Sequence, residues 1–529
     1  MYLSNDRRRF AASVVGFLIL SAIVIWPICD VEIPAFKDYP GHLARMYILQ
    51  HMQSSPYLSH YYIVDWRPIP YLAMDATFLF LRWIPSIYTA GTVFVSLTCL
   101  LPCVALFILH YVLHRKLSIV PFLGFLFCYN SLLIWGFLNY LPTAALAIIA
   151  FAFWVHLEDR GWLRRLCWFL PIATALYFAH LVAFGAFGLM AGSWELGRIV
   201  RASRKQLAAN AIGMAVLAVS AIPAFATAIL AHDEHVFAFI GAPVTRYGTL
   251  GDRIRDAFSP VLIDNHPISF VTAGAIVLLI GLGVAKGQLT FSKRMTAPAI
   301  VLTICSAAAP EFLFDVFGLD FRLPLILAIL LVASIAETPK LSGKAMLLGI
   351  ACVSALVVVR AVSLDRELVV LDGEMQAYHT VAKDIPRGVR VIVVDASSNV
   401  RKPTPNWPVL TQHAGMVALM DREVFLPTLF TFMTTVRTRP EMLRSSTPSG
   451  APLPHLDTFL DGYGQQDPVD DELNDGLGGR IYWLGWEKKF DYVLIEHFGK
   501  HPNSLPPTLQ PVAASDVVDL FRIVKSPAN

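Results

Sequence analysis

Phe36-Lys37-Asp38-Tyr39-Pro40-Gly41-His42-Leu43-Ala44-Arg45 follows directly on the first long apolar run of the chain, residues 10–29. A run of that length spans the roughly 30 Å hydrocarbon layer, so the decapeptide is expected in a loop on the far side of a membrane. A helix beginning near Pro40 would put Asp38, His42 and Arg45 at i, i+4 and i+7, on or near one face. A carboxylate, an imidazole and a guanidinium at a bilayer surface suit chemistry on a lipid-borne phosphate, with Asp38 as base and a cation for the phosphate. Nearby hydrocarbon would raise the pKa of Asp38 and make it a better base. The plainer reading of Asp38 is a helix N-cap, because Asp shortly before Pro is an ordinary helix start.

Outward from this stretch, the composition is that of a membrane protein. Mean hydropathy is +0.57; 56% of the 529 residues are hydrophobic and 15% charged, which excludes an ordinary soluble protein. The net charge of +3 decides little, and no basic stripe interleaved with aromatics marks a nucleic-acid partner. The cysteines, Cys29, Cys99, Cys103, Cys128, Cys167, Cys305 and Cys352, lie in or at the ends of apolar segments without a CxxC. Neither a zinc site nor a disulfide framework is indicated. Asn5-Asp6-Arg7-Arg8-Arg9 before the first apolar run resembles a signal peptide, but Pro27-Ile28-Cys29-Asp30 offers no small-x-small cleavage site. The run is read as a retained first helix.

Eleven crossings are expected, at 10–29, 86–112, 117–135, 139–157, 166–180, 181–199, 207–230, 267–286, 296–310, 322–337 and 343–362. Basic clusters at Arg7–Arg9, His114–Lys116, Arg160 with Arg164-Arg165, Arg198–Lys205, Lys286 with Lys293-Arg294, and Lys340 with Lys344 belong on the cytoplasmic side. The clusters at 164–165 and 198–205 are separated by one apolar stretch of roughly 33 residues. Two short helices turning near His180 satisfy the charge rule; one over-long helix does not. The N-terminus is then cytoplasmic, and everything after about 363 is periplasmic. Outward-facing segments are 30–85, with surface-lying helices at about 40–54 and 70–84, 136–140 with the His180 turn, 231–266 and 311–322. The expected domains are a membrane domain, 1–362, and a soluble periplasmic α/β domain, 363–529. The latter has a helix near 371–384, strands at 388–395, 490–495 and 517–524, and loops at 439–454 and 462–476. No nucleotide-binding glycine motif occurs in it.

Four further segments stand out: Trp66-Arg67-Pro68-Ile69-Pro70-Tyr71-Leu72-Ala73-Met74-Asp75, Gly136-Phe137-Leu138-Asn139-Tyr140, Tyr177-Phe178-Ala179-His180 and Asp320-Phe321-Arg322-Leu323-Pro324. With the acidic first outer loop and its surface helices, the chain resembles the GT-C superfamily of membrane glycosyltransferases over residues 1–362. The resemblance implies a mainly α, polytopic fold in the bacterial inner membrane. It also implies inverting transfer of a sugar from a polyprenyl-phosphate donor to a periplasmic lipid, glycan or protein acceptor, with no nucleotide cofactor. Asp38 matches the superfamily's acidic position, but Tyr39 follows where some members carry Glu, which leaves the use of a divalent cation open.

On this reading Asp38 is the general base, and Arg322, with Arg246, holds the lipid phosphate. His42, Arg45, Asn139, Tyr140, His180 and Asp320 are further substrate-binding candidates. Each has a plainer alternative: headgroup snorkelling for His42 and Arg45, capping for Asn139, a satisfied helix-end imidazole for His180, a local pair with Asp320 for Arg322. Asp75 is expected to make a structural hydrogen bond. Arg253, Arg255, Glu311 and Asp315 are expected to be solvated loop residues. The competing functions are a lipid or solute transporter and a non-catalytic scaffold. Against a transporter, no charge falls mid-span and no inverted repeat of broken helices is evident.

Overall fold

The computed structural model describes residues 2–230, 245–263, 267–313, 316–397, 413–431, 434–447, 453–465, 482–502 and 505–525. Asp315 and parts of the 231–266, 439–454 and 462–476 loops lie outside the described residues. Five helices are long and apolar enough to cross a bilayer, within Phe10–Cys29, Ile87–His114, Asn210–Ile229, Pro267–Ala285 and Gly343–Ala382. Helices Tyr140–His156, Trp162–Ala179, Leu181–Val200, Thr296–Ala308 and Leu319–Ala333 occupy other expected spans. Thr296–Ala308, at 13 residues, reaches only about 20 Å and falls short of the hydrocarbon thickness.

Three expectations about helices are corrected. Residues 117–135 are not one helix: a 3-10 segment, Val120–Phe127, is followed by the short helix Ser131–Ile134, capped by the Asn130 side chain, which accepts the Leu133 N–H. The helix expected at 322–337 ends at Ala333, because Ile335–Glu337 pairs antiparallel with Leu289–Phe291. The helices expected at 343–362 and 371–384 are one helix of 40 residues, Gly343–Ala382. Among the described residues no proline interrupts it, so the backbone continues as a helix where the sequence turns polar.

The short hairpin is present. The chain breaks at His180, which is extended at φ −168°, ψ 123° and stands between Trp162–Ala179 and Leu181–Val200. Arg165 and Arg198, from the far ends of the two helices, bind the same carboxylate, Glu195, at 2.6 and 3.0 Å. Trp154 Nε1 donates to it as well, at 2.8 Å.

Two compact units divide the chain. The first comprises 1–30, 68–74 and 93–366; the second comprises 31–67, 75–92 and 367–529. Most of the first outer loop is therefore built into the same unit as the C-terminal segment. Within that unit, Tyr62–Val64 pairs antiparallel with Val436–Thr438, and the helix Met416–Arg422 packs on Tyr39–His51. The expected surface helices appear as Tyr39–His51 and Ala73–Leu81. A four-stranded sheet has the order Val391–Asp395, Tyr492–Glu496, Val518–Ile523, Leu509–Ala513. Its first pair is parallel and the others antiparallel. Leu509–Ala513 was not expected as a strand; with Pro511 and two exposed neighbours at an edge it carries little of the alternation that marks one.

Candidate functional site

In the first unit, four sequence-separated elements meet around Arg322, which is 9% exposed. It projects from the first turn of Leu319–Ala333. Its guanidinium lies over the rings of Phe137 and Tyr140, 4.4 and 5.2 Å from their centroids. The Tyr140 hydroxyl donates to the Arg322 carbonyl at 3.0 Å. Arg322 Nη1 is 3.5 Å from His180 Nε2. His180 also caps its own helix, its Nδ1 accepting the Val182 N–H at 3.2 Å. With Nδ1 as acceptor, a neutral imidazole carries its hydrogen on Nε2. The 3.5 Å contact then joins two donors rather than a donor and an acceptor. Two buried donors turned toward one another make a place for an anion.

Tyr71 completes this cluster and was not singled out as a site residue from sequence. Its ring meets His180 edge to face at 4.6 Å, while its backbone adopts φ 80°, which is costly for a bulky residue. Asn139 holds it there: its amide nitrogen donates to the Tyr71 carbonyl, and its Oδ1 accepts the Met74 N–H at 2.9 Å. Although Asn139 stands at the N-cap of Tyr140–His156, it makes no side-chain capping bond. An apolar cavity of about 540 Å³ lies between the helices Ile87–His114, Tyr140–His156 and Trp162–Ala179. Ile108, Leu146, Phe153 and Leu176 line it, and Ala179 lines it one residue from His180.

Arg246 and Asp320 make local contacts. Arg246 is committed to Glu311 through two hydrogen bonds of 3.0 and 2.9 Å and lies over the Phe312 ring. Glu311 is thus its partner rather than a bare loop residue. Asp320 Oδ1 accepts its neighbour's N–H, from Phe321, at 3.0 Å. Asp256, unremarked in the sequence, is pushed up to about 7 by burial and by the nearby Asp320 carboxylate. Arg253 bonds the carbonyls of Ala307 and Ala309.

In the second unit, Asp38 occupies the N-cap position of Tyr39–His51 at φ −90°, ψ −6°, yet makes no side-chain capping bond. His413 Nε2 is 3.7 Å from Asp38 Oδ1, beyond hydrogen-bond length. Burial and the nearby Lys37 hold His413 neutral, at about 3, and burial lowers Lys37 itself. His42 stacks on Phe430, as does His413, with centroids 5.3 and 4.8 Å apart. Burial, Arg45 and His413 press the His42 imidazole well below its usual range. Arg45 does not snorkel: it pairs with Asp75 at 3.1 Å, the two side chains 2% and 0% exposed. Asp75 is structural, as expected, though through an ion pair.

Neither a comparison with protein-family models nor one with curated sequences finds a match. Among solved structures, the crystal structure of ArnT from Cupriavidus metallidurans in the apo state is similar, with a TM-score of 0.51 and 14% identity. The likeness covers 97% of this chain and 98% of that one. The chain shares the fold of that protein. At this identity the likeness speaks to architecture: a helical membrane part and a sheet-containing C-terminal part, both expected from sequence. The match includes the C-terminal segment as well as the membrane helices.

Proposed function

We propose that this chain is an inner-membrane glycosyltransferase that takes its sugar from a polyprenyl-phosphate donor, with the phosphate seated at Arg322 and His180. The convergence of Arg322 Nη1 and His180 Nε2 at 3.5 Å carries this reading, because two buried donors favour a bound anion. The apolar cavity lined by Ala179, the residue before His180, supports it, since an isoprenoid tail needs apolar surface near its headgroup. The shared fold supports it too: ArnT is a GT-C family undecaprenyl-phosphate-Ara4N transferase. Asp38 is the proposed general base, removing the acceptor hydroxyl proton as the sugar carbon is attacked and the lipid phosphate departs. Arg246 is left out of the phosphate site because its Nε and Nη2 already hold Glu311. The periplasm is the proposed side of reaction.

The test is binding of a polyprenyl phosphate to the purified full-length protein, read by native mass spectrometry against the matching polyprenol. One phosphate-dependent lipid per chain, lost in Arg322→Ala and retained in Arg246→Ala, is expected. Equal retention of polyprenol, or unchanged binding in Arg322→Ala, would overturn the reading.

A further inference from the structure

The C-terminal sheet carries a second cluster that the transfer reaction does not use. His497 directly follows the strand Tyr492–Glu496, and Asp519 lies on the neighbouring strand Val518–Ile523, where it pairs with Ile495. Phe498 and Gly499, at φ 45° and 85°, turn the chain sharply. That turn brings His501 back over His497, ring centroids 4.1 Å apart. Asp519 stands between the two imidazoles: Oδ2 is 2.9 Å from His501 Nδ1, and Oδ1 is 3.2 Å from His497 Nε2. The second contact is short without being a hydrogen bond; both of its atoms are buried and unsatisfied. Left as they are, a buried imidazole nitrogen and a buried carboxylate oxygen are costly.

We propose that His497, His501 and Asp519 bind a divalent cation of the zinc class. One ligand atom from each lies within 4.8 Å of the others. A tetrahedral ion with bonds of about 2.0–2.1 Å sets its ligand atoms roughly 3.3 Å apart, so the trio has only to draw in slightly. Two imidazoles and one carboxylate fit zinc or its borderline-soft neighbours better than calcium or magnesium, which take oxygen ligands. His497 and Asp519 are 0% and 8% exposed, but the His501 side chain is 56% exposed. The solvent side is therefore open for entry and for a fourth, water ligand.

One hydrogen has to move. The Gly499 N–H now leans on His497 Nδ1 at 3.2 Å, which leaves the imidazole hydrogen on Nε2. A cation at Nε2 requires the other tautomer, with that hydrogen on Nδ1. The proton is conserved, the Gly499 contact is broken, and the turn at Phe498-Gly499 is the part that gives. Metal-bound histidines donate their other ring N–H to a carbonyl, carboxylate or water, so Nδ1–H takes such an acceptor once the Gly499 N–H has turned away. The ion would clip the loop 497–502 to the sheet. The sequence alone offers only the His-x3-His spacing, because the third ligand comes from a different strand.

The test is calorimetric titration of the chelator-treated full-length protein in detergent with Zn²⁺ alone. One saturable high-affinity site per chain is expected, weakened about tenfold or more in His501→Ala and in Asp519→Asn. His501 is mostly exposed, so its variant tests binding without putting the fold at stake. His501→Cys should restore affinity, and Co²⁺ should give the visible absorption of tetrahedral coordination in the parent protein. Absence of a saturable site, or parent-like affinity in His501→Ala, would overturn the assignment.

Discussion

Arg322 Nη1 and His180 Nε2 stand 3.5 Å apart, and because His180 Nδ1 accepts the Val182 N–H the two facing groups are both donors. His180 caps a helix, and in the proposed function its Nε2 also faces the lipid phosphate. Asn caps as well as any residue but does not reach where Nε2 sits. His180→Asn should keep the melting temperature near that of the parent while weakening polyprenyl-phosphate binding about tenfold, roughly 1.4 kcal/mol. His180→Ala should lose the affinity and also about 1 kcal/mol of stability. Lipid titration beside thermal melting reads both; unchanged affinity in both variants would remove His180 from the phosphate site.

The Arg45–Asp75 pair makes a prediction about stability alone. Both side chains are essentially inaccessible, so removing one leaves an uncompensated buried charge. Asp75→Ala should cost about 3–5 kcal/mol, whereas Arg45→Met combined with Asp75→Leu should recover most of that loss. Denaturant unfolding of the full chain in detergent distinguishes the two. A loss in the double variant as large as in the single one would mean that the pair is worth more than its burial costs.

How much of this was legible in the sequence depends on the range of the contact. Local periodicity and charge placement were sufficient for most of the helices, though not for their ends or for 117–135, and the hairpin at His180 followed from the two basic clusters that flank it. Asn139, Tyr140, His180 and Arg322 were all singled out, because polar groups at the ends of apolar runs are conspicuous. Their mutual geometry was not legible, and neither was Tyr71, whose importance lies in a backbone angle. The partner of Arg45 was hidden for a related reason: an arginine on a surface helix gives no sign of a carboxylate 30 residues away. The inclusion of the first outer loop in the same compact unit as the C-terminal segment depends on pairings such as Ile63 with Arg437, which no local signal announces.

Buried histidines make the second unit acid-sensitive. His413 is held at about 3 by burial and Lys37, against about 6.5 in an unfolded chain. A depressed histidine leaves stability intact above the unfolded value. As pH falls below about 6.5 the unfolded state takes up a proton that the folded state refuses, at about 1.4 kcal/mol per pH unit. His42 acts in the same direction. The melting temperature should fall steadily between about pH 6 and pH 4, and less steeply in His413→Gln; equal slopes would place the acid-labile group elsewhere.

Asp256 has the opposite sign. Its carboxyl is raised to about 7 by burial and Asp320, above the ordinary range near 3.9. The folded state therefore holds a proton that the unfolded chain has already released, and this contribution fades as pH rises toward 7. Asp256→Asn should stabilise the protein above neutral pH by about 1 kcal/mol, a figure discounted for the solvent that reaches the group. Melting at pH 8 checks it, and a lower melting temperature in Asp256→Asn would show that the ionised carboxylate has a partner.

Asn139 and Tyr71 allow strain and contact to be separated. Tyr71 sits at φ 80°, a conformation costing a tyrosine about 1–3 kcal/mol, and Asn139 bonds both the Tyr71 carbonyl and the Met74 N–H. Asn139→Ala should release the backbone and draw the Tyr71 ring away from His180, at about 1–3 kcal/mol of stability. Tyr71→Gly should do something different, because glycine adopts this angle without penalty. Its stability should hold while lipid-phosphate affinity falls, the edge of the ring against His180 having gone. Tyr71→Phe keeps both ring and strain and should resemble the parent in both measurements. If Tyr71→Gly binds as tightly as the parent, the strained residue serves the fold rather than the phosphate site.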